Sequence, residues 1–119
     1  MCMLCYYYCS TRWVKVEGVE YRQRCIVIMG MDDDDPIFGC IEAVYIIASQ
    51  VYLHVSAQTI VKYSSHFHAY VITPTSPVQQ KLIEPDQLVS PFPLQMRSVN
   101  GLTTHGNMAV VLKHGICVL

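Results

Sequence analysis

Residues 37–55 read IFGCIEAVYIIASQVYLHV, and this stretch decides the fold. Two runs rich in β-branched and aromatic residues, 37–47 and 51–55, flank the short polar break Ala48-Ser49-Gln50. Runs of this composition favour strands, and so short a connection places the two strands side by side and antiparallel. We therefore predict a strand pair with its turn at residues 48–50.

The same pattern of short apolar runs, separated by Gly, Pro, Asp, Asn and Ser, continues along the chain in both directions. Glu17-Gly18-Val19 is typical of a tight hairpin, residues 30–36 of a turn, and residues 84–93, with three prolines, of an irregular connection. The predicted strands are 13–17, 20–29, 37–47, 51–55, the less distinct 59–63, 66–72, 94–99 and 109–112. Residues 78–83 fit either a strand or a single helical turn. No stretch keeps a helical period. We predict an all-β fold, a small antiparallel barrel or sandwich of about seven short strands.

Composition narrows the classes of function. A chain of 119 residues with 52% hydrophobic and 14% charged residues is predicted to fold as one ordered domain. Its formal net charge of -1 lacks the excess of positive charge that is typical of proteins that bind nucleic acid. The purely apolar runs, such as residues 1–9 and 43–48, are far shorter than the roughly 20 residues of a membrane-spanning helix. Neither nucleic acid nor membrane is therefore expected as a partner.

The first eleven residues, MCMLCYYYCST, do not fit the strand-and-turn pattern. They lack a basic segment and a small-residue cleavage site, so they do not resemble a secretory signal. We predict a leader over residues 1–11 and one β-rich domain over residues 12–119. Without a secretory context, the six cysteines are expected to be reduced, in the cytoplasm or nucleus.

Two groups of residues could hold a metal. Cys2, Cys5 and Cys9 form half of a zinc-site pattern whose second half is absent. His66 and His68 would share one face of a strand, and they suit either a metal clamp or an ordinary half-exposed strand. The incomplete ligand sets favour no metal and no cofactor.

Two acidic features lie near the central strands. The consecutive carboxylates Asp32 to Asp35 lack the alternate spacing of a calcium loop, and a solvated turn is predicted. Glu42 lies among apolar residues, where it could be an acid of raised pKa or could pair with Arg22 or Arg24 on a neighbouring strand.

Catalytic motifs are missing from the sequence: there is no nucleophile elbow, zinc-protease helix or phosphate loop. An enzyme built on His66, His68 and a cysteine has no activating spacing, so no catalytic residue is predicted. The remaining candidates are aromatic, and they fit either the core or a groove for a peptide or a methylated lysine. These aromatic residues are Trp13, Tyr45, Tyr52, Tyr63 and Tyr70.

Two resemblances bear on function. Residues 18–22 (GVEYR), 38–44 (FGCIEAV) and 51–55 (VYLHV) resemble the barrel of a bromo-adjacent-homology domain, which implies a chromatin-associated binding module. Residues 66–72 (HFHAYVI) and 110–116 (VVLKHGI) resemble the C-terminal region of uncharacterised, transposon-derived vertebrate proteins, which implies no functional residue.

Together these patterns favour a non-catalytic module that binds a protein or peptide through a groove or a strand edge. The alternative is a structural C-terminal fragment of a larger protein, without an activity of its own.

Overall fold

The computed structural model describes residues 8–104 and 106–111, and this part of the chain is built from strands, without an α-helix. The strands are β1 (Tyr8–Thr11), β2 (Trp13–Val16), β3 (Val19–Arg22), β4 (Cys25–Asp32), β5 (Asp35–Ile47), β6 (Gln50–Ser64), β7 (Ala69–Pro74), β8 (Gln80–Ile83), β9 (Ser90–Arg97) and β10 (Met108–Val111). A 3-10 turn, Pro85–Gln87, precedes β9. The all-β prediction is confirmed.

Six of these strands close into an antiparallel barrel. The order around it is β5-β4-β9-β10-β7-β6, and the direct pairing of β5 with β6 completes the ring. A closed ring leaves no unpaired strand edge within it. The predicted small antiparallel barrel is therefore confirmed.

The two longest strands, β5 and β6, continue beyond the barrel. Their far ends pair with each other through Tyr45 and Tyr52. At these ends β1 lies along the other edge of β5, and β8 lies along the other edge of β6. We call the resulting four-stranded sheet, β1-β5-β6-β8, the extension. A shift in register between Ile41 and Ala43 marks the place where barrel and extension meet.

Two predicted turns are confirmed by the backbone. Glu17 and Gly18 join β2 to β3 with positive φ angles of 51° and 83°. Ala48 and Ser49 join β5 to β6 with φ angles of 51° and 68°. Two successive residues with positive φ suit the twist of a two-residue hairpin, and glycine adopts this conformation without strain.

The predicted strand over residues 20–29 is wrong, because the chain breaks after β3 at Gln23 and Arg24. The Gln23 backbone amide donates to the carbonyl of Arg12, and the Arg24 amide donates to the carbonyl of Ile41. Arg24 has a φ of 77°, which turns the chain out of the β2–β3 hairpin and into the barrel.

Other boundaries also differ from those predicted. The predicted strands 51–55 and 59–63 are one continuous strand, β6. Hydrogen bonding to β5 and then to β7 carries it through the intervening residues. The predicted turn at 30–36 narrows to Asp33 and Asp34, since the flanking residues pair across β4 and β5.

The apolar side chains form three groups. The barrel interior holds Ile26, Ile28, Phe38, Cys40, Tyr70, Ile72 and Val110. A second core lies beneath the β2–β3 hairpin and contains Tyr21, Val27, Ile41, Val44, Leu53, Val55 and Ile83. A third, smaller group comprises Ala69, Val71, Leu102 and Ala109. The Tyr21 hydroxyl donates to the carbonyl of Pro91 at 2.8 Å and so ties the hairpin to β9.

Residues 8–11 of the predicted leader form β1, which pairs with residues 44–47 of β5. Residues 1–7 lie outside the described part, and the boundary at residue 12 stays a prediction.

Candidate functional site

One face of β6 runs from the barrel interior out onto the extension. Alternate residues of a strand share a face, so Tyr52, His54, Ser56, Gln58 and Ile60 project to the same side. Ile60 packs against the barrel core. Ser56 is buried at the junction, whereas Tyr52 and His54 are partly exposed.

On the extension this face carries aromatic and aliphatic side chains. Tyr45 pairs with Tyr52 across β5 and β6, and His54 pairs with Leu82 of β8. Directly paired residues point to the same side of a sheet. Together with Ile47, these four residues define what we call the open face.

The centre of the open face is a depression of about 330 Å³ lined by Tyr45, Ile47, His54 and Leu82. The rings of Tyr45 and His54 lie 6.0 Å apart, and His54 Nε2 lies 3.1 Å from Gln80 Oε1. Leu82 is 51% exposed. The depression therefore offers apolar contact and hydrogen-bonding groups, and among the described residues that line it there is no acid, lysine or arginine.

The open face contains two of the predicted groove aromatics, Tyr45 and Tyr52. Trp13 lies on the separate β2–β3 hairpin, where it pairs with Arg22 and is half-exposed. Its place on another sheet separates it from the open face.

Tyr70 belongs to the barrel interior and is only 7% exposed. Its ring meets Phe38 edge-on at 5.4 Å and lies 4.8 Å from the ring of Tyr63, and its hydroxyl donates to Asp35 Oδ1 at 3.2 Å. Tyr70 is therefore a core residue and not a groove residue.

Sequence reasoning did not single out Ile47, His54 or Leu82 as members of this face. His54 could have been found, because it follows Tyr52 at the two-residue period of a strand. Leu82 could not, because only the non-local pairing of β8 with β6 brings it beside His54.

Next to the open face, past Ser56, lies a second cavity of about 270 Å³ that we call the barrel mouth. Its polar lining includes Arg24, Glu42 and Gln58. Its apolar lining includes Cys40, Ile72, Met96 and Met108.

Glu42 pairs differently from the sequence expectation. The Ser56 hydroxyl donates to Glu42 Oε2 at 2.6 Å, and the Gln58 amide lies 3.4 Å from the same hydroxyl. Arg22 forms an ion pair with Glu20 instead. Neither Arg22 nor Arg24 forms an ion pair with Glu42 within the described ranges.

The Cys40 thiol, which lines the barrel mouth, is not a ready nucleophile. Burial raises its pKa to about 11, and the neighbouring Glu42 carboxylate adds to the effect, while Arg24 opposes it. The thiol is therefore neutral near pH 7, and the neutral form reacts poorly.

The two histidines proposed as a clamp do not lie on a strand. His66 and His68 occupy the turn between β6 and β7, where His68 has a φ of 51° and the His66 ring packs on Phe67 at 4.8 Å. The strand predicted over 66–72 begins only at Ala69 because the chain reverses direction here.

Among residues 8–104 and 106–111, no three histidine, cysteine or acidic side chains come together as a metal site. Of the N-terminal thiols, Cys9 is exposed in β1, while Cys2 and Cys5 lie outside the described residues. The four aspartates are all exposed around the β4–β5 turn, as predicted.

Comparison with family models, with curated proteins and with solved structures finds no match to this chain. The two resemblances stated from the sequence therefore stay predictions. In the part of the chain that the structure describes, no helix is long and apolar enough to cross a membrane.

Proposed function

We propose that this chain is a non-catalytic module that binds an extended peptide segment of a partner protein across the open face. The observation that carries the proposal is the partly exposed cluster of Tyr45, Tyr52, His54 and Leu82 on the four-stranded extension. Tyrosine is enriched at protein interfaces because its ring buries a large area while its hydroxyl stays able to form hydrogen bonds.

The chemistry of the face favours a neutral, partly apolar peptide. Its depression is lined by aromatic and aliphatic groups around the His54 imidazole. A strongly charged segment would find no opposite charge among these lining side chains. A peptide with alternating aliphatic or aromatic residues would place every second side chain on the face, in the manner of peptides that lie along sheets.

The sheet edges offer a second element of recognition. Within the described residues, β1 and β8 end the extension and each pairs with a strand on one side only. An unpaired edge presents backbone donors and acceptors to an added strand. Such bonds supply affinity, and the open face supplies the side-chain preference.

Two observations support a non-catalytic role. The buried Cys40 thiol has a pKa of about 11 and is protonated at neutral pH. The open-face histidine, His54, contacts the Gln80 side-chain oxygen and the Tyr45 ring, and it forms no hydrogen bond with a cysteine or serine of the described residues.

The test is selection of peptides from a random phage-displayed library on the immobilised chain. The selected peptides are then measured against Leu82→Lys and Val61→Lys. Leu82 and Val61 are 51% and 50% exposed, so the two changes place the same charge at equally exposed aliphatic sites. Only Leu82 lines the depression.

We expect enriched peptides with spaced apolar residues whose affinity falls about tenfold or more in Leu82→Lys and stays unchanged in Val61→Lys. Equal loss in both variants, or no enrichment on a folded sample, would refute the proposal. Self-association of the unmodified chain that Leu82→Lys abolishes would instead support the structural-fragment alternative, in which this face packs against further protein.

A further inference from the structure

The barrel mouth is a second site, distinct from the open face, and we propose that it binds a small zwitterion with an apolar tail, the class of the aliphatic α-amino acids. This goes beyond the peptide-binding function and does not depend on it. It rests on the charges, the apolar lining and the size of the cavity.

The first observation in support is a pair of opposite charges that line one cavity without forming an ion pair with each other. Arg24 and Glu42 line the same cavity but form no ion pair with each other. The Arg24 guanidinium makes no hydrogen bond within the described ranges, and Glu42 uses only Oε2, for the Ser56 hydroxyl. A ligand carboxylate suits the guanidinium, and a ligand ammonium suits the remaining carboxylate oxygen.

A backbone hydrogen bond fixes the position of the Arg24 main chain. Its amide donates to the carbonyl of Ile41, the residue before Glu42, at 2.7 Å. Both side chains act on the nearby Cys40 thiol, whose pKa is raised first by burial and then by Glu42, and lowered by Arg24. Both charges therefore lie near Cys40, and the Arg24 side chain is open to solvent.

The second support is the lining on the barrel side. Cys40, Ile72, Met96 and Met108 give that side of the cavity an apolar surface. Methionine side chains are flexible and polarisable, and they adapt to aliphatic ligands of different shape. The Met108 sulfur also accepts a hydrogen bond from the Ser98 hydroxyl at 3.7 Å, which orients it.

Size is the third support. The cavity holds about 270 Å³, near the lower end of the roughly 300–1,000 Å³ that small-molecule sites occupy. The space suits a single amino acid and excludes a folded protein segment. The mouth of a β-barrel is also a common place for such sites.

The test is a titration of L-leucine into protein labelled with ¹³C at the methionine methyl groups, followed by two-dimensional NMR. We expect saturable shifts of the Met96 and Met108 methyl signals. Met29 and Met31 lie outside this cavity and serve as internal controls whose signals stay in place. The absence of any shift at Met96 and Met108 up to millimolar leucine would overturn the proposal.

Two analogues separate the charges of the ligand. Leucinamide lacks the carboxylate, and N-acetyl-leucine lacks the ammonium group. Each is expected to bind about tenfold more weakly than leucine, since each loses one charge-assisted contact. Equal binding of all three would show apolar binding only and would overturn the zwitterion assignment.

Matched variants locate the two contacts. Arg24→Gln should weaken leucine binding and keep the preference for leucine over N-acetyl-leucine. Glu42→Gln should remove that preference. The glutamine carbonyl of Glu42→Gln can still accept from Ser56, which keeps the junction intact. Lys62→Gln removes an exposed charge that does not line the cavity and should bind normally. Loss of binding in Lys62→Gln as large as in Arg24→Gln would contradict the site.

The experiment also separates the two sites. Leu82→Lys is expected to lose peptide binding while it retains the leucine-induced shifts. If Leu82→Lys removed the leucine response as well, the barrel mouth would not be an independent site. Failure of leucine binding alone would leave the peptide-binding proposal standing.

Discussion

The barrel and the extension are built on the same two strands, β5 and β6, but only the barrel buries the face that they share. Within the barrel, the strands β7, β9 and β10 close the ring over Ile60 and Phe38. On the extension, β1 and β8 widen the sheet at its edges and leave Tyr52 and His54 partly exposed. The comparison shows that strands added at the edges of the sheet leave this face open, whereas strands that close the ring bury it.

The largest expected difference between the two regions is in packing energy. Phe38→Ala in the barrel should lower the free energy of unfolding by about 3–5 kcal/mol, because it empties a fully buried site against Tyr70. Tyr52→Ala on the open face should cost about 1 kcal/mol or less, since mainly a cross-strand contact is lost. Urea-induced unfolding measures both. Similar losses in the free energy of unfolding for Phe38→Ala and Tyr52→Ala would mean that the open face is covered in solution.

The next effect is the dependence of stability on pH. The Cys40 pKa rises from 9.0 to about 11 in the folded chain, so folding favours the neutral thiol. This contribution is fully present below about pH 9 and is lost as the pH rises towards 11, because the unfolded state releases its proton first. Its upper limit is about 3 kcal/mol, from 1.36 kcal/mol for each unit of pKa.

The measurement compares unfolding of the unmodified chain with that of Cys40→Ala between pH 8 and 11. The variant should lose less stability across this window than the unmodified chain. Tyr21, whose pKa is raised by burial and then by Glu17, contributes a loss of the same sign to both proteins and cancels in the comparison. Parallel pH profiles for the two proteins would contradict the burial of Cys40.

The smallest effect lies at the junction of the two regions. Ser56→Ala should lower stability by about 1–2 kcal/mol, because it removes the hydroxyl that donates to Glu42 and leaves a partly buried carboxylate without this donor. Ser10→Ala, at an exposed position in β1, is the control and should change stability by less than about 0.5 kcal/mol. Thermal unfolding of the three proteins is sufficient. Equal melting temperatures would remove Ser56 as a structural element of the junction.

The features predicted correctly from the sequence are mainly local ones. The turns at residues 17–18 and 48–49 and the antiparallel pairing of β5 with β6 depend on neighbouring residues, and they are present. The break at Arg24 was missed because an arginine with a φ of 77° has no preference for that conformation. The turn at residues 65–68 was missed for a related reason, since its aromatic and histidine residues also occur in strands.

The candidate site was predicted only in part. Tyr45 and Tyr52 were selected as groove residues and lie together, because their pairing follows from the hairpin between them. Trp13 and Tyr70 were selected on residue type alone, and they lie on the separate hairpin and in the barrel core. Aromatic character does not distinguish a binding residue from a core residue, because both environments favour a large apolar ring.

By itself, the sequence determined the hairpin between β5 and β6, its turn and the alternation that places Tyr52 and His54 on one face. The tertiary structure alone decided that β6 continues to Ile60, which packs against the barrel core, while Tyr52 and His54 face outward on the extension. The physical reason is that a two-residue period fixes which side chains share a face and carries no information about what covers them. That cover comes from strands distant in the chain, whose pairing closes the ring around one half of β6 and not the other.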